Sequence, residues 1–140
     1  MFVEGKDLVD LDFFSVSDPI CTLKTKESNL KHATWKYNDE TEVIDNNLNP
    51  RWTKHFSVHF IFIRDIDLLF QVWNYNGPDN KIWDLIGECE INLSTLMMTP
   101  GQKMSIILTL PEKSSEKDRK IKNRENRGFL TVRADKIRKT

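Results

Sequence analysis

Apolar residues in this chain alternate where they are dense, and turn signals cut each dense stretch before a helix could form. Phe56, Val58, Phe60 and Phe62 stand at period two, which places them on one face of an extended segment running from Trp52. Leu68-Leu69-Phe70-Gln71-Val72-Trp73 is apolar almost throughout, as a central strand would be. Leu85 to Leu93 alternates again, with Glu88, Glu90 and Asn92 on the water side. Pro19–Leu23, Thr41–Ile44, Ser105–Leu110 and Gly128–Ala134 read as further strands, and Ala33–Tyr37 as a hairpin extension. Phe2-Val3 reads as the end of a strand, with Gly5-Lys6-Asp7 as a turn. Lys24–Lys31 reads as a polar turn, Asn38-Asp39-Glu40 as a break, and Asp45–Pro50 and Asn74–Asn80 as loops. One short helix is expected after Ser94 as its N-cap, ended by Pro100-Gly101. Short strands with frequent turns and hardly any helix predict an all-β sandwich.

At 140 residues the chain is expected to be one domain, 1–140. Its 21 basic and 21 acidic residues cancel, so net charge selects no partner, but one segment is strongly biased. Lys113, Lys117, Arg119, Lys120, Lys122, Arg124 and Arg127 are opposed only by Glu116, Asp118 and Glu125. The stretch 113–127 reads as an exposed, mobile basic loop insertion. It lacks the interleaved aromatics that stack on bases, so no nucleic acid is expected. The longest apolar run, Phe60–Ile63, is too short to span a bilayer, and no signal peptide is visible. Cys21 and Cys89 each stand alone in apolar segments. They read as reduced core thiols of an intracellular, cytoplasmic protein. His32, His55 and His59 have no zinc-site spacing. No nucleophile stands with a base partner and no glycine-rich phosphate loop occurs, so an enzyme is not expected.

Two carboxylates, Asp12 and Asp18, bracket Phe13-Phe14-Ser15-Val16-Ser17, and Pro19 biases Asp18 toward extended backbone. With Thr41-Glu42-Val43-Ile44, Asn46-Asn47-Leu48-Asn49-Pro50, Leu68-x-Phe70-x-Val72-x-Asn74 and Ile86-Gly87-Glu88, in that order, the chain resembles a C2 domain. Gly77-Pro78-Asp79-Asn80, Leu85–Glu90 and Thr131-Val132-Arg133-Ala134 resemble the C2 domains of copines, a family carrying two such domains and a von Willebrand A-type domain. The resemblance implies an eight-stranded antiparallel sandwich, here with a short or truncated first strand and so an exposed sheet edge or a strand supplied by a partner. It also implies that loops at one end bind calcium and dock on phospholipid. The implied calcium ligands are Asp12, Asp18, Asn74, Asn76 and Asp84, whereas the family usually has Asp at positions 74 and 76. Calcium affinity depends on ligand charge count, so two amides in place of acids weaken the site, although Asp79 lies in the same loop.

Strands in a sandwich run end to end, so loops after alternate strands share an end. Eight strands put Asp10–Asp18, Asp45–Arg51, Asn74–Asp84 and Lys113–Arg127 together. On that count Phe13, Ile82 and Trp83 are candidate apolar membrane tips. Lys117, Arg119, Lys120, Lys122 and Arg124 then face an anionic phospholipid surface, at about 1 kcal/mol for each basic group near it. Core packing is an open alternative for Phe14. Two functions stand open: a calcium-influenced, peripheral phospholipid-binding module with a weakened calcium site, and a calcium-independent structural or adaptor domain making protein contacts in a larger assembly.

Overall fold

The computed structural model describes residues 1–11, 16–59, 65–78, 83–111 and 127–135. Seven strands occur among them: β1 (Phe2–Lys6), β2 (Pro19–Glu27), β3 (Lys36–Glu40), β4 (Ile66–Asn74), β5 (Asp84–Asn92), β6 (Lys103–Ile107) and β7 (Phe129–Arg133). They form two antiparallel sheets, one ordered β1-β7-β6 and the other β3-β2-β4-β5. The apolar run at 68–73 is indeed central: β4 pairs with β2 along one edge and β5 along the other. Val3, Leu130 and Val132 from one sheet and Cys21, Leu23, Phe70, Val72 and Ile86 from the other are buried in a shared core. No helix among the described residues is long and apolar enough to cross a membrane.

The first strand is a full partner rather than a remnant. Gly5 and Lys6 lie in it, opposite Leu130 and Phe129, and the turn comes at Asp7, whose φ is 51°. Its other edge is not bare either. Gly5 N–H donates to Pro50 O (2.8 Å), Glu4 bridges to Arg51, and Phe56 N–H donates to Met1 O (2.8 Å). The first two come from the end of the expected Asp45–Arg51 loop, and the third from the stretch expected to be a strand from Trp52. Residues 52–59 carry no regular strand, and the rest of that expectation, 60–64, lies outside the described residues. The alternation was real: Trp52 and Phe56 are buried and the Phe56 ring meets Phe70 edge-on at 5.9 Å. Pro50 has no N–H to offer a ladder, and the segment is held from its far side by a carboxylate. Glu42 accepts from the N–H groups of Thr53 (2.8 Å) and Lys54 (3.2 Å) and from the Thr53 hydroxyl. Burial alone would raise the Glu42 pKa, but these donors outweigh it and hold the carboxyl below its ordinary value.

Other boundaries shift for similar reasons. β2 runs on through the polar Lys24–Glu27, and β3 occupies the supposed break at Asn38–Glu40, accommodated by a bulge opposite Leu23/Lys24. Thr41–Ile44 is no regular strand, yet Thr41 N–H donates to Cys21 O (2.8 Å) and Ile44 N–H to Pro19 O (3.1 Å). The helix α1 (Leu93–Met98) is capped by Asn92, whose Oδ1 accepts from Thr95 N–H at 3.0 Å, and not by Ser94. The Ser94 hydroxyl instead donates to Asp65 Oδ1 (2.8 Å). Both thiols are free and buried, as expected of core cysteines, and burial pushes Cys89 up to about 12.

Beyond β6 the chain changes sheets. Leu108 pairs with Arg127 and Gly128 backbone, and the next residue, Thr109, exchanges both of its backbone bonds with Glu88 of β5. This crossing is possible because Gly87 has no side chain: a Cβ there would lie 2.8 Å from Leu108 Cβ. Arg127, counted in the sequence among seven exposed basic residues, is only 2% exposed. Its Nε donates to Ile86 O at 2.9 Å. The aliphatic stem fills space beside Gly87 and the guanidinium meets a strand carbonyl, a use of arginine that charge alone does not reveal.

Candidate functional site

Strand register brings three of the candidate residues together. Pro19 is opposite Asn74 across β2 and β4, and Asn74 is opposite Asp84 across β4 and β5. Asp18, Asn74 and Asp84 therefore line one end of the four-stranded sheet, each where its strand meets a loop. Asn76 stands two residues into the β4–β5 loop, and its Nδ2 donates to Asp84 Oδ2 at 3.4 Å. Asp12 lies outside the described residues, as do Phe13, Phe14, Asp79, Ile82, Lys117, Arg119, Lys120, Lys122 and Arg124. Residues 113–126 of the basic insertion fall outside them too.

The loops at this end are tied to one another. Asp18 N–H donates to Asn74 Oδ1 (2.9 Å), and Tyr75 N–H donates back to Asp18 O (3.0 Å). Asp18 Oδ1 accepts from Asn46 N–H at 2.7 Å, and Asn47 N–H donates to Ser17 O. Asn46 takes a φ of 50°, a left-handed conformation that asparagine tolerates and that turns its N–H toward the carboxylate. Val9 N–H donates to Arg127 O, so the root of the basic segment joins the same end. Ser17, missed as a site residue in the sequence, is the pivot of the first loop. It is fully buried, its hydroxyl accepts from Leu11 N–H (2.9 Å) and its N–H donates to Asp10 Oδ1 (3.2 Å). A small hydroxyl between Val16 and Asp18 gave little signal of that role.

Three side-chain oxygens of the candidate ligands are thus engaged in holding loops: one each of Asp18, Asn74 and Asp84. A hard cation needs 6–8 oxygens and profits from their charge. Among the described residues no three His, Cys, Asp or Glu side chains gather as a metal centre requires. Asp18 and Asp84 supply two carboxylates, and Asn74, fully buried, serves first as an acceptor for backbone. The described set alone is short of charge for a calcium ion. Asp18, Asp84 and Asn76 are the described residues that could face one. Trp83, half-buried, packs edge-on against Tyr75 with centroids 5.5 Å apart, so these two rings stand beside the carboxylates.

Asn74→Ala is expected to cost about 1–3 kcal/mol, because it leaves the Asp18 N–H without its acceptor in a part-buried position. Urea unfolding followed by tryptophan fluorescence would measure it, and an unchanged midpoint would contradict this assignment of the amide.

Comparison with known proteins gives a consistent result. A family model described as "C2 domain" matches residues 1–110. Nicotinic receptor-associated protein 1 of Caenorhabditis elegans is 32% identical over 112 residues, covering 68% of this chain and 18% of that protein. Copine-E of Dictyostelium discoideum is 33% identical over 101 residues, covering 70% of this chain and 17% of that protein. The chain therefore spans less than a fifth of the length of either. Among solved structures, a C2 domain of plant extended synaptotagmin 1 matches with a TM-score of 0.60 at 23% identity, over 93% of this chain and 85% of that one. A second solved structure, BON1-C2B, matches with a TM-score of 0.60 at 24% identity, over 92% and 83%. Both are likenesses of fold.

Proposed function

The chain belongs to the C2 domain family, with copines among its relatives, and on that premise we propose that it is a peripheral phospholipid-binding module whose calcium site is weakened. It works as a binding module, not an enzyme, on the cytoplasmic face of a membrane. The observation that carries the reading is the convergence of Asp18, Asn76 and Asp84 with the Tyr75–Trp83 pair on one end of the sandwich. Carboxylates beside amphipathic rings suit an interface where a cation bridges protein and anionic headgroups. Asp12 joins the carboxylates, and Phe13 and Ile82 join Trp83 as apolar tips. Lys117, Arg119, Lys120, Lys122 and Arg124 add attraction to anionic lipid that needs no calcium.

Sedimentation with vesicles of neutral lipid, and of neutral lipid plus phosphatidylserine, tests this. The protein is expected to pellet with the anionic vesicles, more with calcium than with chelator, and less at high salt. Failure to pellet with anionic vesicles under either condition would sink the proposal.

One observation favours a second reading, a calcium-independent adaptor domain with a protein partner in a larger assembly. The candidate ligand oxygens already accept hydrogen bonds from the loops themselves, so this end is ordered by its own donors. One relative is named as associated with the nicotinic receptor. Calorimetric titration with calcium, on the parent protein and on Asp18→Ala, separates the two readings. Heat in the parent that Asp18→Ala loses supports the calcium site, and no heat in the parent supports the adaptor.

A further inference from the structure

The β4–β5 loop contains Asn76-Gly77, and no other asparagine in the chain precedes a glycine. Asn76 is exposed. Gly77 has a φ of +92°, and a Cβ built on it would meet nothing within 4 Å among the described residues. The residue after Asn76 therefore has no side chain of its own to hinder its backbone nitrogen, and glycine leaves the backbone freest to adopt the geometry required. We propose that Asn76 is a site of spontaneous deamidation, by which this loop acquires a carboxylate opposite Asp84.

The step balances with water as its sole co-reactant. The Gly77 nitrogen attacks Asn76 Cγ, the Cγ–Nδ2 bond breaks, and ammonia leaves carrying the proton lost by the Gly77 nitrogen. Water then opens the five-membered imide, giving its hydroxyl to one carbonyl carbon and its proton to the ring nitrogen. Opening at Cγ yields aspartate, and opening at the backbone carbonyl yields isoaspartate. Either product is an acid, and nothing is oxidised or reduced.

The consequence is local and follows from one contact. Asn76 Nδ2 now donates to Asp84 Oδ2 at 3.4 Å. The acid has no proton to give at neutral pH, so a hydrogen bond becomes a pair of like charges. A divalent cation between them removes the repulsion, and the described candidate-ligand carboxylates, Asp18 and Asp84, gain a third. Deamidation thus acts as a slow, one-way increase in the calcium sensitivity of the loop, an effect that rests on the pocket reading proposed above.

The test is incubation of the protein at mildly alkaline pH, with peptide mass mapping over time, alongside Asn76→Gln and Asn76→Asp. The amide-to-acid mass change is expected at Asn76 ahead of every other asparagine, and the acidic species seen by ion exchange is expected to be absent from Asn76→Gln. Asn76→Asp is expected to lower the calcium midpoint for vesicle binding on the order of tenfold. An Asn76 that stays an amide while other asparagines convert would overturn the proposal. So would a parent protein that binds calcium with a midpoint unmoved by Asn76→Asp. Conversion at Asn76 with no calcium binding by any form would support the modification and overturn the pocket reading beneath it.

Discussion

Phe70→Ala is expected to cost about 3–5 kcal/mol, the range for deleting a fully buried aromatic ring. Phe70 lies in β4, the strand paired on both edges, and is completely inaccessible to solvent. Its ring meets Phe56 edge-on, so one truncation removes core volume and also the partner that fixes the irregular segment beside β1. Folded domains have only about 5–15 kcal/mol in hand. The variant should therefore unfold at much lower urea than the parent with a similar slope. A shift corresponding to less than about 1 kcal/mol would mean the site collapses around the missing ring.

Gly87→Val is the second large effect, and it arises from crowding where the first arises from a cavity. The new Cβ would lie 2.8 Å from Leu108 Cβ and 3.2 Å from Arg127 Cβ. Neither neighbour is the loose end of a long side chain, so the backbone itself must move apart. Overpacking of this kind costs about 1–3 kcal/mol, and sometimes more. Separation here also strains the paired bonds between Glu88 and Thr109, 2.8 and 3.0 Å. Hydrogen exchange should show this. The Glu88 and Thr109 amides are expected to lose protection in Gly87→Val before those of β2, and uniform loss across both sheets would argue against a local origin.

Much of this architecture was legible because it depends on hydrophobic pattern. The run at 68–73 announced a central strand, and the alternation at 85–93 announced its neighbour. The register that aligns Pro19, Asn74 and Asp84 places Asp18, Asn74 and Asp84 at one end of the sheet. What was illegible depended on tertiary pairing. Asn38-Asp39-Glu40 has poor strand propensity, yet β2 supplies partners that override it. Trp52–His59 has the right alternation, but beside Pro50 its backbone meets β1 only at intervals. Arg127 looked like the last of a solvated basic series. Only the crossing at Gly87 shows why a guanidinium is buried there. Asn74 looked like a weakened ligand, and it is also the acceptor that joins the first and third loops.

The pairing of β1 with β7 has a consequence for how the chain is made. Phe2–Lys6 leaves a ribosome before the other described strands of this domain, and its partner Phe129–Arg133 follows more than a hundred residues later. The four-stranded sheet, built from residues 19–92, can assemble while synthesis continues. β1 can meet Pro50, Arg51 and Phe56 early, but the edge that pairs with β7 stays open until residue 129 arrives. Contacts so distant in sequence slow folding and leave strand edges open to intermolecular pairing. Nascent chains arrested before residue 129 should therefore hold one formed sheet and a strand β1 still open on its β7 edge.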